Sequence, residues 1–220
     1  MFDLSQTPNS AKLSHGFGQG QFVAELEERH TLWDQPSKLK LLYWLTRGNL
    51  GTYLDSVALG AATGQTPSTG AVRSFRTKGG AGLNFEQQLA PDLGVFVRAS
   101  VSQGTVEEVD FTDINQSISA GFSLTGSRWG RPDDTVGLAG AANRISHQGK
   151  LYLAAGGLGG IIGDGQLPNA GPEQILETYY RVAVFSFAHV GFDYQFINNP
   201  AYNRDRGPVS VFALQLHIQY

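Results

Sequence analysis

Hydrophobic and polar residues alternate through the last twelve residues of the chain, Val209–Tyr220. Alternate residues of an extended strand point to opposite faces, so one face is apolar and the other is small or polar. The two sets are Phe212, Leu214, Leu216, Ile218 and Tyr220 against Ala213, Gln215, His217 and Gln219. This pattern is typical of an outer-membrane barrel strand, which turns apolar residues to lipid and places an aromatic residue at the membrane interface. An edge strand of a soluble β-sandwich is the alternative.

The same alternation recurs along the chain and predicts nine strands. In the clearest of them, Ser117–Thr125, four apolar residues alternate with serine, glycine and threonine. The strands are placed at about 22–33, 38–48, 79–90, 94–103, 115–127, 135–145, 174–183, 187–197 and 209–220. No window has the period of a long amphipathic helix, and only residues 53–62 are compatible with a short helix inside a loop.

The predicted connections alternate in length. Short, turn-type connections lie near 34–37, 91–94, 131–134 and 184–186, and long ones at about 49–78, 104–114, 146–173 and 198–208. Short turns at one end and long loops at the other are typical of an up-and-down outer-membrane barrel, whereas a Greek-key sandwich lacks this regularity. The sequence therefore predicts an all-β fold, an up-and-down antiparallel transmembrane β-barrel with about nine strands in this chain.

The odd number of strands predicts an incomplete barrel. Single-chain bacterial barrels usually have an even number of strands and both ends in the periplasm. We therefore divide the chain into an N-terminal lead-in or external-loop remnant, residues 1–21, and the C-terminal portion of a barrel, residues 22–220. The first residues lack the basic and apolar segments of a signal peptide, so we expect a leader and an N-terminal half to be missing.

Composition excludes several classes of function. Charged residues make up 16% of the chain and 28 residues are glycine, which suits a protein whose outer surface does not face water. The net charge of −3 predicts no nucleic-acid partner, and the absence of cysteine excludes disulfides and thiolate metal sites. No run of apolar residues is long enough to predict a transmembrane helix.

Candidate motifs for cofactors, metals and catalysis fail on their spacing. The segment Gly156–Gly165 has isoleucine at position 162, where a dinucleotide-binding loop needs Gly or Ala, and is better explained as a flexible loop. The five histidines show no HExxH pairing, and Asp110–Asn115 lacks the spacing of a calcium loop. No GxSxG elbow is present. The sequence predicts no cofactor, no metal and no enzymatic activity.

Charged and aromatic residues on the second face of the strands are candidates for lining a wet interior. Charges of both signs are costly in a dry interior but tolerable beside water. We expect nine residues to face such a lumen and bind neutral polar solutes: Glu25, Glu27, Arg29, Glu86, Arg98, Glu177, Tyr179, Arg181 and Asp193. The lipid-facing side should carry Phe122, Leu124, Phe192, Tyr194, Leu214 and Ile218. Ion-pair ladders with no role toward a solute are the alternative.

Three separated segments resemble the carbohydrate-selective porin family of Gram-negative outer membranes. They are Arg128–Ala139, Gly171–Tyr180 and Asp193–Phe212, and they occur in the order that the family has. The likeness covers most of residues 16–220. It implies a sixteen-stranded barrel, of which this chain would supply a little over half, and passive diffusion of sugars through a water-filled lumen.

The resemblance also implies partners and a location. We expect sugars as permeating solutes, outer-membrane lipid around the barrel, and barrel-assembly machinery that contacts the C-terminal strand Val209–Tyr220. Family members are often trimeric, so a homotrimer in the cell outer membrane is a further expectation. Two alternatives from other classes stay open. They are an outer-membrane β-barrel enzyme of the phospholipase or protease type and a soluble lectin-like β-sandwich.

Overall fold

Nine β-strands form one antiparallel sheet in a computed structural model, which describes residues 18–108, 113–160 and 167–219. The strands are β1 (Gly20–Leu32), β2 (Gln35–Leu50), β3 (Ser74–Ala90), β4 (Leu93–Ser102), β5 (Gln116–Gly126), β6 (Arg131–Arg144), β7 (Glu173–Phe185), β8 (Ala188–Asn198) and β9 (Val209–Ile218). Each strand pairs with the next in chain order. The predicted up-and-down fold is confirmed, and the two-sheet sandwich is wrong, because within the described ranges all nine strands belong to one sheet.

Short turns join alternate strand pairs, as predicted. Trp33 and Asp34, with φ of 53° and 58°, connect β1 to β2, and two-residue hairpins favour this left-handed conformation. Residues 91–92 join β3 to β4, and residues 186–187 join β7 to β8. Connections this short can link only antiparallel neighbours.

The turn between β5 and β6 lies earlier than predicted. The sequence placed it at 131–134, but a 3-10 turn at Ser127–Trp129 followed by Gly130 makes the connection. Gly130 has a φ of 75°, which glycine adopts without strain. The predicted turn residues already belong to β6, where the register is shifted, so the missing N–H of Pro132 falls in an irregular stretch of the ladder.

The long connections contain the helices. α1 (Tyr53–Thr63) lies between β2 and β3 and confirms the predicted short helix. It ends at Gly64, a left-handed cap with a φ of 69°. In the ranges that the structure describes, no helix has the length and the apolar composition needed to span a membrane.

A second helix, α2 (His147–Ala154), lies between β6 and β7 and was not predicted. Ser146 caps it, because its side-chain oxygen accepts a hydrogen bond of 2.9 Å from the Gly149 N–H. Its eight residues make little more than two turns. A helix this short shows no readable period in the sequence.

The hydrophobic core lies among the long connections rather than between two layers. This loop core consists of the buried residues Tyr53, Ile145, Tyr152, Leu153, Leu167 and Tyr202. Val57, Ile114, Ala170 and Ala201 pack against it. Three of the four long connections contribute residues to the loop core, and the fourth, between β4 and β5, packs Ile114 against it, so the loop core holds them together at one end of the sheet.

The strand register separates a polar face from an apolar face. One row across the polar face is Arg29, Lys38, Glu86, Phe96, Gly121, Ala139, Glu177 and Gln195. One row across the apolar face is Leu39, Phe85, Val97, Ala120, Gly140, Leu176 and Phe196.

The apolar face is open to its surroundings. It holds all six residues predicted to face lipid. Phe212 and Leu214 are 77% and 71% exposed. Exposed apolar surface of this extent marks contact with lipid or with another protein.

Some predictions concern residues outside the described ranges. They are most of the lead-in with His15, part of the Asp110–Asn115 segment, part of the Gly156–Gly165 segment, and Tyr220. These stay predictions.

Candidate functional site

The strand register brings all nine predicted lumen residues to the polar face. Glu25, Glu27 and Arg29 come from β1, Glu86 and Arg98 from β3 and β4, and Glu177, Tyr179, Arg181 and Asp193 from β7 and β8. They form two groups at opposite sides of the sheet, with β5 and β6 between them. That these residues line a pore stays a prediction.

The first group begins as an ion-pair ladder between β1 and β2. Lys40 Nζ lies 2.9 Å from Glu25 Oε1 and 2.8 Å from Glu27 Oε2. Arg29 Nε donates to the other oxygen of Glu27 at 2.5 Å. These charges are partly exposed, so the ladder can exchange its hydrogen bonds with water or a polar solute.

The ladder continues across β2, β3 and β4. Lys38 Nζ is 2.6 Å from Glu86 Oε2, and Asn84 Nδ2 donates to Glu86 Oε1 at 2.8 Å. Arg98 Nε donates to Asn84 Oδ1 at 3.1 Å, and its guanidinium lies 4.8 Å from the centre of the Phe96 ring. A cavity of 540 Å³ lies over this part of the polar face. A larger one, of 1080 Å³, extends toward the short turns.

The middle of the polar face carries small residues. Ser100, Ser117, Ser119, Gly121, Ser123, Gly137, Ala139 and Ala141 lie here on β4, β5 and β6. A ring from β7 also lies over this stretch: Tyr179 lies across Gly137, where a Cβ would come within 2.3 Å of its Cε1. The small side chains leave open space between the two charged groups.

The second group lies on β7 and β8. Gln195 Nε2 donates to Glu177 Oε2 at 3.0 Å, and Tyr179 is the directly opposed partner of Asp193. Arg181 Nη2 donates to the Thr135 hydroxyl on β6 at 3.4 Å. Carboxylate, amide, phenol and guanidinium groups therefore stand side by side, and together they offer both hydrogen-bond donors and acceptors.

A buried ion pair binds the connection between β4 and β5 to the polar face. Lys78 of β3 is fully buried, and its Nζ lies 2.7 Å from Glu108 Oε2. The same ammonium group donates to the carbonyl oxygens of Val106 and Glu107, both at 3.1 Å. Asn115 Nδ2 donates to Glu108 Oε1 at 2.6 Å. All three ammonium protons thus have an acceptor, as a buried charge requires.

A second buried carboxylate, Glu107, joins three segments of the long connections. Arg73 donates to both of its oxygens, at 2.7 and 2.9 Å, and the Gly51 N–H donates at 2.7 Å. Burial by itself would raise the pKa of Glu107, but Arg73, the Gly51 N–H and the Thr69 hydroxyl together lower it below its usual value. For Glu108, burial dominates and raises the pKa against the opposing influence of Lys78.

The lowered pKa of Glu107 predicts a loss of stability in acid. The folded state binds fewer protons than the unfolded chain, so the contribution of Glu107 is present above its ordinary pKa of 4.5 and is lost as pH falls through the folded value. We expect Glu107→Gln to reduce this acid dependence in urea unfolding measured from neutral pH to about pH 2.5, which covers the range below 4.5 in which the contribution is lost. The control is Asp55→Asn, which removes an exposed carboxylate at the same end of the sheet. Equal acid dependence in wild type and Glu107→Gln would contradict the assignment.

The aromatic ring of Trp44 lies beside the connection between β4 and β5. The indole of Trp44, on the polar face of β2, lies against Gly80, where a Cβ would come within 2.5 Å of Cζ2. A cavity of 350 Å³ next to it is lined by Trp44, Glu108 and Ile114, among other residues. An aromatic face beside hydrogen-bonding groups can contact both the apolar and the polar parts of a ligand.

Several residues of the site were missed by the sequence analysis. Lys38 and Lys40 alternate with Leu39 at the same two-residue period as the acidic residues of β1, so their spacing could have identified them. Nothing local could have identified the pair of Lys78 with Glu108, because its partners lie on a strand and on a separate connection.

The chain matches a model of a protein family and a solved structure. The family model described as "Carbohydrate-selective porin, OprB family" matches residues 2–220. The solved "High pH structure of Pseudomonas putida OprB" is similar with a TM-score of 0.76 and 19% sequence identity, over 97% of this chain and 52% of that one. The chain therefore spans about half the length of that structure, with which it shares its fold. The search of curated proteins gave no match.

Proposed function

This chain belongs to the carbohydrate-selective porin, OprB family, and we propose that it forms part of the wall of a passive outer-membrane channel for sugars. The observation that carries the proposal is the division of one sheet into two faces. The apolar face is exposed, whereas the polar face bears charged ladders and open cavities. A barrel wall between lipid and a water-filled lumen needs this division. The porin family is a family of channels, which favours a channel over a barrel enzyme.

The chemistry of the polar face supports sugars as the solutes. A sugar presents many hydroxyl groups, each a donor and an acceptor, on a ring with partly apolar faces. The ladders of Glu25, Lys40 and Arg98 supply paired donors and acceptors, and Trp44 and Tyr179 supply aromatic faces. Most charged groups on the polar face already form ion pairs. A neutral solute can therefore exchange hydrogen bonds with these groups, and no charged group is left without its ionic partner.

The unpaired edges of the sheet support the proposal that it is part of a larger barrel. Within the described part of the chain, β1 and β9 each pair on one side only. Unpaired backbone groups facing lipid cost several kcal/mol each, by order of magnitude. We propose that further strands pair with β1 and β9 in the functional channel, and that this sheet is about half of the sixteen-stranded wall that the resemblance implies.

Contacts with lipid, with the barrel-assembly machinery and with other copies of the chain are also proposals. The exposed side chains of β9, such as Phe212, favour contact with outer-membrane lipid, and its free edge suits contact with the barrel-assembly machinery. Assembly as a homotrimer in the outer membrane rests on the family. Cross-linking from the β9 edge and a mass measurement in detergent test the two protein contacts.

Liposome swelling tests the proposed function. Vesicles that contain the assembled channel, in which further strands complete the wall, should swell in isotonic mono- and disaccharides. Arg98→Ala should lower the ratio of sugar to glycine permeation by up to about fivefold, the effect of one net hydrogen bond of about 1 kcal/mol. Arg47→Ala is the matched control, because Arg47 lies on the apolar face.

Heat-modifiable migration of the same preparations on a gel separates assembly from permeation. A heat-modifiable band without sugar-dependent swelling overturns the channel proposal. An Arg98→Ala variant that loses this band shows that Arg98 is a structural part of the ladder and not a residue that contacts the solute.

A further inference from the structure

Two histidines face each other across the strands β8 and β9. His189 and His217 are directly opposed in the strand register, and the centres of their rings are 6.4 Å apart. Both belong to the polar face near its short-turn end, where β8 begins and β9 ends. His189 is half-buried and His217 is exposed. We propose that this histidine pair binds a divalent transition-metal ion of the Cu²⁺, Ni²⁺ and Zn²⁺ class.

The distance between the rings suits one shared ion. Directly opposed residues of antiparallel strands have Cβ atoms about 4.5–5.5 Å apart, which sets two imidazoles side by side. Because a bond from such a metal to an imidazole nitrogen is about 2.0–2.1 Å, two rings on one ion lie roughly 5–6 Å apart between centres. The observed 6.4 Å between the ring centres is close to this range, so binding one ion between the rings requires only a small approach of the two side chains.

The neighbours of His189 on β7 and farther along β8 are small. On the polar face, His189 lies opposite Ala183 of β7, and Gly191 follows two residues later on β8. Gln215 lies next to Gly191, with its Oε1 4.0 Å from the position of a Cβ there, and offers a further oxygen ligand.

The guanidinium of Arg181, which would compete with a bound cation, is directed away from the histidine pair. Arg181 is the strand partner of Gly191, but its Nη2 donates to Thr135 on β6, away from β9. In the described ranges, no three histidine, cysteine, aspartate or glutamate residues come together to hold a metal. The histidine pair thus supplies two protein ligands, and water would complete the coordination of the ion.

The chemistry of the donors selects the class of ion. Neutral imidazole is a ligand for Cu²⁺, Ni²⁺ and Zn²⁺, and affinity is greatest for Cu²⁺ in the usual order of divalent metals. Mg²⁺ and Ca²⁺ prefer oxygen ligands and should not bind here. A bound divalent ion would add positive charge to the polar face at its short-turn end.

Copper binding to the protein in detergent tests the site. Wild type should take up one Cu²⁺ with an electron paramagnetic resonance spectrum that shows coupling to two imidazole nitrogens, and Mg²⁺ should not compete. His189→Asn and His217→Asn should each lose about tenfold or more in affinity and show the coupling of a single imidazole. His147→Asn, on α2, is the matched control and should bind as wild type does.

Three results would overturn the proposal. They are wild-type affinity in either variant of the pair, coupling to one imidazole in wild type, and an equal loss of affinity in His147→Asn. The measurement does not depend on passage of any solute, so it stands apart from the test of the channel.

Discussion

Replacing Lys78 by methionine is expected to lower the free energy of unfolding by about 3–5 kcal/mol, the usual cost of removing one partner of a buried ion pair. Lys78 is fully buried, and without its ammonium group the carboxylate of Glu108 stays in the protein interior with only hydrogen bonds from neutral groups. The carbonyl oxygens of Val106 and Glu107 also lose their donor. The midpoint of urea unfolding in detergent should fall accordingly.

The loss should be centred on the connection between β4 and β5, because Lys78 holds that segment against the polar face. Limited proteolysis should therefore cut the long connections faster in Lys78→Met than in wild type. The double variant Lys78→Met/Glu108→Leu should recover part of the lost stability, since it also removes the unpaired carboxylate of Glu108. Lys150→Met, at a half-buried lysine of α2, is the control. If Lys78→Met unfolds as Lys150→Met does, the buried pair does not hold the connection.

Replacing Asp134 by alanine is expected to destabilise the short-turn end of the sheet. Asp134 is 1% exposed and lies on the apolar face of β6, where Arg131 donates to both of its oxygens. The Tyr180 hydroxyl donates to it at 2.6 Å and the Ala183 N–H at 2.9 Å. Removal of the carboxylate leaves the Ala183 N–H unsatisfied, which by itself costs about 1–3 kcal/mol.

The neighbouring aspartate supplies a matched control for this experiment. Asp133→Ala removes the same chemical group from an exposed position and should change stability by no more than about 0.5 kcal/mol. Asp134→Asn keeps an acceptor and should fall between the two. Urea unfolding of the three variants checks the order. Equal stability of Asp133→Ala and Asp134→Ala would show that the buried cluster does not stabilise the sheet.

Much of the sheet could be predicted because alternation is a local property. Ile118, Phe122 and Leu124 are separated by even numbers of residues, and an extended backbone sends such residues to one face whatever the rest of the chain does. The same reasoning placed all nine candidate residues on one face. It failed at 131–134, where Asp134 looked like a turn residue but is buried by contacts with Tyr180 and Ala183, residues distant in sequence.

The chemistry of the site was less accessible to sequence reasoning. His189 and His217 are far apart in the chain, so no motif spacing could join them, and only the register of β8 against β9 sets them opposite each other. α2 was missed because a helix of eight residues carries too little period to be recognised.

The sequence by itself determined the class of fold, the number of strands, the alternation of short and long connections, and the two faces of the sheet. Each follows from backbone geometry that acts over a few residues. Only the tertiary structure decided which charges pair, where the loop core forms, and that Lys78 is buried against Glu108. Those outcomes depend on how four long connections close and pack, and the free energy of loop closure and packing is not encoded in any local pattern.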